Sequence, residues 1–163
     1  MATSTTRDVL TAAVDEAFEG KAWHGPTLRG SLRGVTPRQA SWRPGPRRHN
    51  IWELALHAAY WKYAVRRRLT GEKRRRFALK GSNWFDVRGR SWPGDVRILI
   101  EEHRLLRAAI VALPLGALDR RVHGRDTAAY SIRGIAAHDL YHAGQIQLLK
   151  RLQGRKGTKG GKR

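Results

Sequence analysis

Histidines 138 and 142 stand four residues apart in the segment His138, Asp139, Leu140, Tyr141, His142, and a third, His57, follows Leu54 by three residues and precedes Trp61 by four. On a helix, residues four apart share a face, with Cβ atoms about 5–6 Å apart. Two imidazoles so placed can reach one ion, each nitrogen roughly 2.0–2.1 Å from it. Ile135, Ile146 and Leu149 lie on the same face as His138 and His142, which turns both rings inward. A third ligand from a facing helix is how metal sites in helical bundles are assembled. Three neutral imidazoles leave coordination positions for water or substrate, as catalytic sites do and closed structural sites do not. The competing reading is a hydrogen-bonded core. Two histidines at this spacing are a short and promiscuous pattern, yet three buried imidazoles leave several nitrogens in need of partners. Spacing alone leaves both readings open.

Other side chains near these positions have dull and sharp roles. Glu53, one turn before His57, can cap its helix, or serve as an outer partner or base toward an activated water; it is the candidate catalytic residue. His103 fits a fourth ligand, a proton shuttle or an ordinary core residue, and the last suits its apolar neighbours Leu99 and Leu106 best. His24 and His49 belong to loops that could reach the mouth of a site, while His123 lacks apolar context and is expected at the surface. Asp139 is rotated about 100° from His138 and is expected to face away from the pair. Tyr141 and Gln145 could donate hydrogen bonds nearby. The chain has no cysteine, which excludes thiolate ligands, a cysteine nucleophile and disulfides. It also has no Gly-x-Ser-x-Gly elbow and no phosphate-cradling glycine loop.

The elements that must position these residues read as helices throughout. A first helix is predicted over 6–19, with Gly20 as its stop. Between it and His49 lies a Gly/Pro-punctuated connection, in which Leu28, Leu32 and Val35 suggest one short helix. Asn50 followed by Glu53 is a box-like cap for a second helix, whose stripe runs through Ile51, Leu54, Ala58, Trp61, Val65 and Leu69 to Gly71. A polar loop follows over 72–90, holding Phe77, Trp84 and Phe85. A third helix is predicted from Pro93 to a stop at Pro114, and a fourth after Ser131, taken as its cap, to Gly154. No strand pattern is visible. The expected fold is all-α: a four-helix bundle with long connections over 1–154, followed by a disordered basic tail over 155–163.

Composition bounds the function classes. A hydrophobic content of 40% suits a globular chain, and no window is long and apolar enough to span a membrane. The first residues lack a basic start followed by an apolar core, so no secretory signal is expected and the protein is expected to be cytoplasmic. A net charge of +20 attracts polyanions and acidic small molecules. The arginines are spread over several segments, so a solvated basic surface is the plain explanation, and non-specific nucleic-acid binding by a basic helical protein is the alternative function.

Trp23-His24-Gly25-Pro26, then Glu53-x-x-x-His57, then His138-Asp139-x-Tyr141-His142-x-Gly144-Gln145-Ile146 resemble the DinB-like (YfiT-type) superfamily of metal-dependent hydrolases and thiol S-transferases. The resemblance reaches nearly to Gly154. It implies a four-helix bundle, often a homodimer, with a divalent metal, commonly zinc or nickel, on one histidine of the second helix and two of the last. Carried over, those ligands are His57, His138 and His142. It also implies a small-molecule substrate, and an acidic thiol such as bacillithiol or mycothiol in the transferase relatives. The basic surface is not part of the family pattern.

Overall fold

The structure is a computed structural model, and it describes residues 5–73 and 76–155. Four long helices make the frame: α1 (Thr6–Phe18), α4 (Ile51–Thr70), α5 (Trp92–Val111) and α6 (Ala128–Arg155). Two short helices, α2 (Leu28–Leu32) and α3 (Pro37–Ser41), lie in the first connection. Helix α4 packs on α5 and α6, and α1 packs on the same two, so the four close into a ring. The all-α bundle expected from periodicity is the architecture found.

Local signals explain the boundaries. Thr5 and Asp8 form a reciprocal cap on α1, and Asn50 and Glu53 form another on α4. Helix α4 ends where Gly71 adopts φ +71°, a left-handed conformation that costs glycine little. Ser91 caps α5, with Trp92 and Pro93 in its first turn. At the far side, Trp92 Nε1–H donates to the Val35 carbonyl at 2.8 Å and Trp52 Nε1–H to Asp95 at 2.8 Å. These two indoles tie the first connection and the start of α5 to α4, each burying a large ring with its polar edge satisfied.

Three expectations need correction. The one short helix expected near 28–35 is two, because Thr36, Pro37 and Gln39 start a second turn with a capping box of their own. The last helix begins at Ala128, a turn before Ser131. Thr127 Oγ1 accepts from the Tyr130 amide at 3.1 Å, and Ser131 lies inside the helix with its hydroxyl buried and without a partner among the described residues. The absence of strands fails in one place: Arg121–His123 (β1) and Asp126–Thr127 (β2) pair antiparallel around Gly124. Segments of three and two residues are too short to show alternation. Apart from Arg155, the last residue of α6, the tail expected at 155–163 lies outside the described residues. No helix among the described residues is long and apolar enough to cross a membrane.

Candidate metal centre

His57 lies in the second turn of α4 and His138 and His142 near the middle of α6, where the two helices face each other. Their ring nitrogens converge. His138 Nε2 is 3.2 Å from His57 Nε2 and 3.0 Å from His142 Nε2. The three form a group that could hold a metal ion, and among the described residues no other group of three or more metal-binding side chains comes together.

Hydrogen bonding fixes which nitrogens face inward. The Asn83 carbonyl can only accept, so the 2.9 Å contact makes His57 Nδ1 the N–H and leaves Nε2 with its lone pair. The Gln145 amide oxygen does the same for His142, at 2.7 Å. His138 Nδ1 is buried without a partner among the described residues. In the absence of a cation, the Nε2 lone pairs of His57 and His142 both face His138 Nε2 across about 3 Å, with at most one N–H there to share between them. A cation removes that conflict. A tetrahedral ion with bonds of roughly 2.0–2.1 Å needs ligand nitrogens about 3.3–3.4 Å apart, close to the spacing present. The donor set therefore fits a divalent metal.

Burial tunes the rings to the same end. It pushes His57 down to about 4, against the Asn83 hydrogen bond, and His138 down to about 3, helped by its two histidine neighbours. Burial lowers His142 as well. All three are neutral near pH 7, the ligand form of imidazole.

The cluster forms part of the wall of a cleft of about 900 Å³. Trp61, Trp84, Tyr141 and Leu148 supply apolar surface, and Arg47 and Arg48 bring guanidinium groups to the rim. Trp84 is sandwiched between His49 and His57, with ring centroids 3.6 and 3.9 Å apart and planes within 4° and 11°. The loop between α4 and α5 thus delivers two groups to the site, the Asn83 carbonyl and the Trp84 ring. Sequence reading missed both, since neither loop backbone carbonyls nor stacking carry a periodic signal.

Glu53 lies at the edge of this arrangement. Its carboxylate takes the Asn50 amide of the cap, both arms of Arg43 and, at 3.1 Å, His49 Nδ1. Burial pushes its pKa up, but these donors outweigh burial and the net shift is down. Through His49 and Trp84 it is connected to His57, without touching the three-histidine group. His24 is exposed and does not line the cleft, and His123 is exposed as well. His103 is buried elsewhere, stacked on Phe18 at 3.8 Å.

Asp139 does face away from the cluster, but into the core. There it forms an ion pair with Lys62, and both side chains are fully buried. Lys62 Nζ also lies 3.4 Å from His103 Nδ1 and 4.7 Å from the centre of the Phe18 ring. A signal for this pair existed: Lys62 follows Ala55 and Ala59 at helical spacing, as Asp139 does Ile135 and Ala136, so each charge sits in an apolar stripe.

No curated protein and no solved structure matches the chain. The model of one family does, the DinB superfamily, over residues 22–146. That stretch covers the first connection, the capped start of α4 with His57, and α6 through His142 and Gln145. With the bundle and the three-histidine cluster in place, the match is decisive: the chain belongs to the DinB superfamily.

Proposed function

We propose that this protein is a metal-dependent enzyme, a hydrolase or a thiol S-transferase, whose divalent ion is held by His57, His138 and His142. The observation that carries the reading is the meeting of three imidazole Nε2 atoms in the wall of an open cleft. Charge alone speaks for nucleic acid, and it names no residue.

The chemistry gained from such an ion is Lewis acidity, which brings the pKa of a thiol or water into the neutral range. The chain supplies the rest. Asn83 and Gln145 hold the rings of His57 and His142 in the ligating tautomer. Trp61, Trp84, Tyr141 and Leu148 take the apolar part of a small-molecule substrate and exclude water from it. Arg47 and Arg48 attract an anionic group, as an acidic thiol would carry, and can bind a carboxylate in bidentate fashion. Arg47 has φ +58°, a conformation uncommon outside glycine. Glu53 serves as a positioning residue, holding Arg43 and His49 so that His49 backs the Trp84 ring. The apolar stripe that α6 exposes through Tyr141, Leu148 and Leu152 supports a homodimer, which sedimentation would reveal.

The test is elemental analysis of untagged protein, followed by zinc and nickel uptake and a panel of thiol-transfer and ester substrates. Bound metal lost in His138→Ala, with turnover that depends on it, is expected. Wild-type protein that neither carries nor takes up either ion would end the proposal. Within an active protein, Arg47→Ala with Arg48→Ala should raise KM for anionic thiols about tenfold and leave neutral thiols unaffected, given roughly 1.4 kcal/mol for one lost charged contact.

A further inference from the structure

The wall of the metal cleft holds a fourth imidazole, that of His49. Its nitrogens do not join the group formed by His57, His138 and His142, so it stands apart from the ligand set. Trp84 lies flat between it and His57, which keeps the His49 ring parallel to a ligand ring and one indole away. The His49 side chain leaves 46% of its surface exposed, open to whatever fills the cleft. Burial lowers His57 and His142 most, and a charge on His49 adds to the fall at both, so it is within electrostatic reach of the cluster.

Hydrogen bonds decide what this ring can do. Glu53 is ionised near pH 7, and a carboxylate can only accept. The 3.1 Å contact therefore puts the proton of a neutral His49 on Nδ1 and leaves Nε2 with its lone pair. Nothing among the described residues bonds that second nitrogen. Glu53 is not available to a substrate itself: it does not line the cleft, and Arg43, His49 and the Asn50 amide occupy its two oxygens. Arg43 also donates to the Arg48 carbonyl at 2.6 Å, which pins the backbone just ahead of His49. A nitrogen base is thus oriented by a carboxylate on one side and a clamped loop on the other, the arrangement by which an imidazole is readied for proton transfer.

We propose that His49 is the acid–base group of the cleft, with Glu53 as its positioning residue. It rests on the metal reading for the nucleophile that it serves; the dyad itself stands without a metal. When a thiol or water reacts, its S–H or O–H bond breaks, the proton passes to the His49 Nε2 lone pair, and the electron pair stays on sulfur or oxygen. That atom bonds to the electrophilic carbon of the substrate. The bond to the leaving group breaks with its electron pair, and the leaving group takes the proton back from Nε2. His49 ends neutral, and Glu53 stays ionised throughout.

Two measurements test this. In metal-free wild-type protein, the nitrogen NMR shifts of the His49 ring should show the proton on Nδ1 and none on Nε2, and Glu53→Gln should let the two tautomers mix. In zinc-loaded protein near pH 7, calorimetry of mercaptoacetate binding in buffers of different ionisation enthalpy counts the protons released. The wild type should keep the thiol proton on His49 and release clearly less than one. His49→Phe preserves a ring against Trp84 but has no nitrogen, so it should release about one while binding zinc within about twofold of wild type. A ring that only braces Trp84 predicts equal release from both proteins. That equality, or a wild-type ring protonated on Nε2, overturns the proposal, and the wild-type spectra decide it even where the phenylalanine variant fails to fold. Protein that binds no zinc, or zinc that takes no thiol, counts against the metal reading alone, and the metal-free spectra then decide the dyad.

Discussion

Helices α4 and α6 meet at two buried polar clusters that differ in how they are satisfied. Lys62 and Asp139 carry opposite charges and neutralise one another, with His103 alongside. One turn away on the same two helices, His57, His138 and His142 offer at least two acceptors and no internal cation. Burial shifts both members of the ion pair toward neutrality, lowering Lys62 and raising Asp139, and their mutual attraction opposes it. At the histidines burial and mutual repulsion act together on His138. The ion pair supplies its own counter-charge, while the histidines present ligand atoms that could take a charge from outside. The lesson is that burial of polar groups does not distinguish structure from function; the sign of what is missing does.

The comparison breaks most visibly at the ion pair. Lys62→Met strands a buried carboxylate and is expected to cost about 3–5 kcal/mol in urea unfolding. The double variant Lys62→Met with Asp139→Leu should recover most of that loss, because apolar replacement of both partners removes the desolvation penalty of each. The same operation at the histidines should give the opposite picture. His142→Leu in metal-free protein is expected to change stability by no more than about 1 kcal/mol, since it relieves one lone-pair conflict. Zinc at a hundred times its Kd should stabilise the wild type by about 2.7 kcal/mol and the His142→Leu variant by nothing measurable. Zinc stabilisation that survives this change would dissolve the distinction.

Acid should reveal the contrast on a smaller scale. His57, His138 and His103 are held at about 4, 3 and 3 in the folded protein, mainly by burial. Unfolded, each takes up its proton near pH 6.5. The unfolded state therefore binds more protons between those limits, and metal-free protein should keep its stability above about pH 6.5 and lose it progressively as pH falls toward 3. Denaturant midpoints at a series of pH values check this; a midpoint that rises on acidification would contradict it. Smallest of all is Glu53→Gln, expected to cost about 0.5–1 kcal/mol through its weakened cap and ion pair. Zinc affinity should stay within about twofold, since Glu53 supports the cluster only through stacked rings. A loss of zinc binding there would move Glu53 into the site proper.

Periodicity alone determined that this chain makes helices, where α4 and α5 begin and end, and that His57, His138 and His142 face inward, because a 3.6-residue repeat and capping residues are local properties. It could not show the β1–β2 pair, the early start of α6 or the second turn at Pro37, where segments of a few residues carry too little pattern. Tertiary structure decided the rest. Only packing of α4 on α6 brings Lys62 to Asp139, chooses which of seven histidines meet, and separates His103 from them. Only the fold of the connecting loop brings the Asn83 carbonyl and the Trp84 ring against His57. Those contacts join residues far apart along the chain, and their energies depend on distance and direction in space, which spacing along a sequence does not encode.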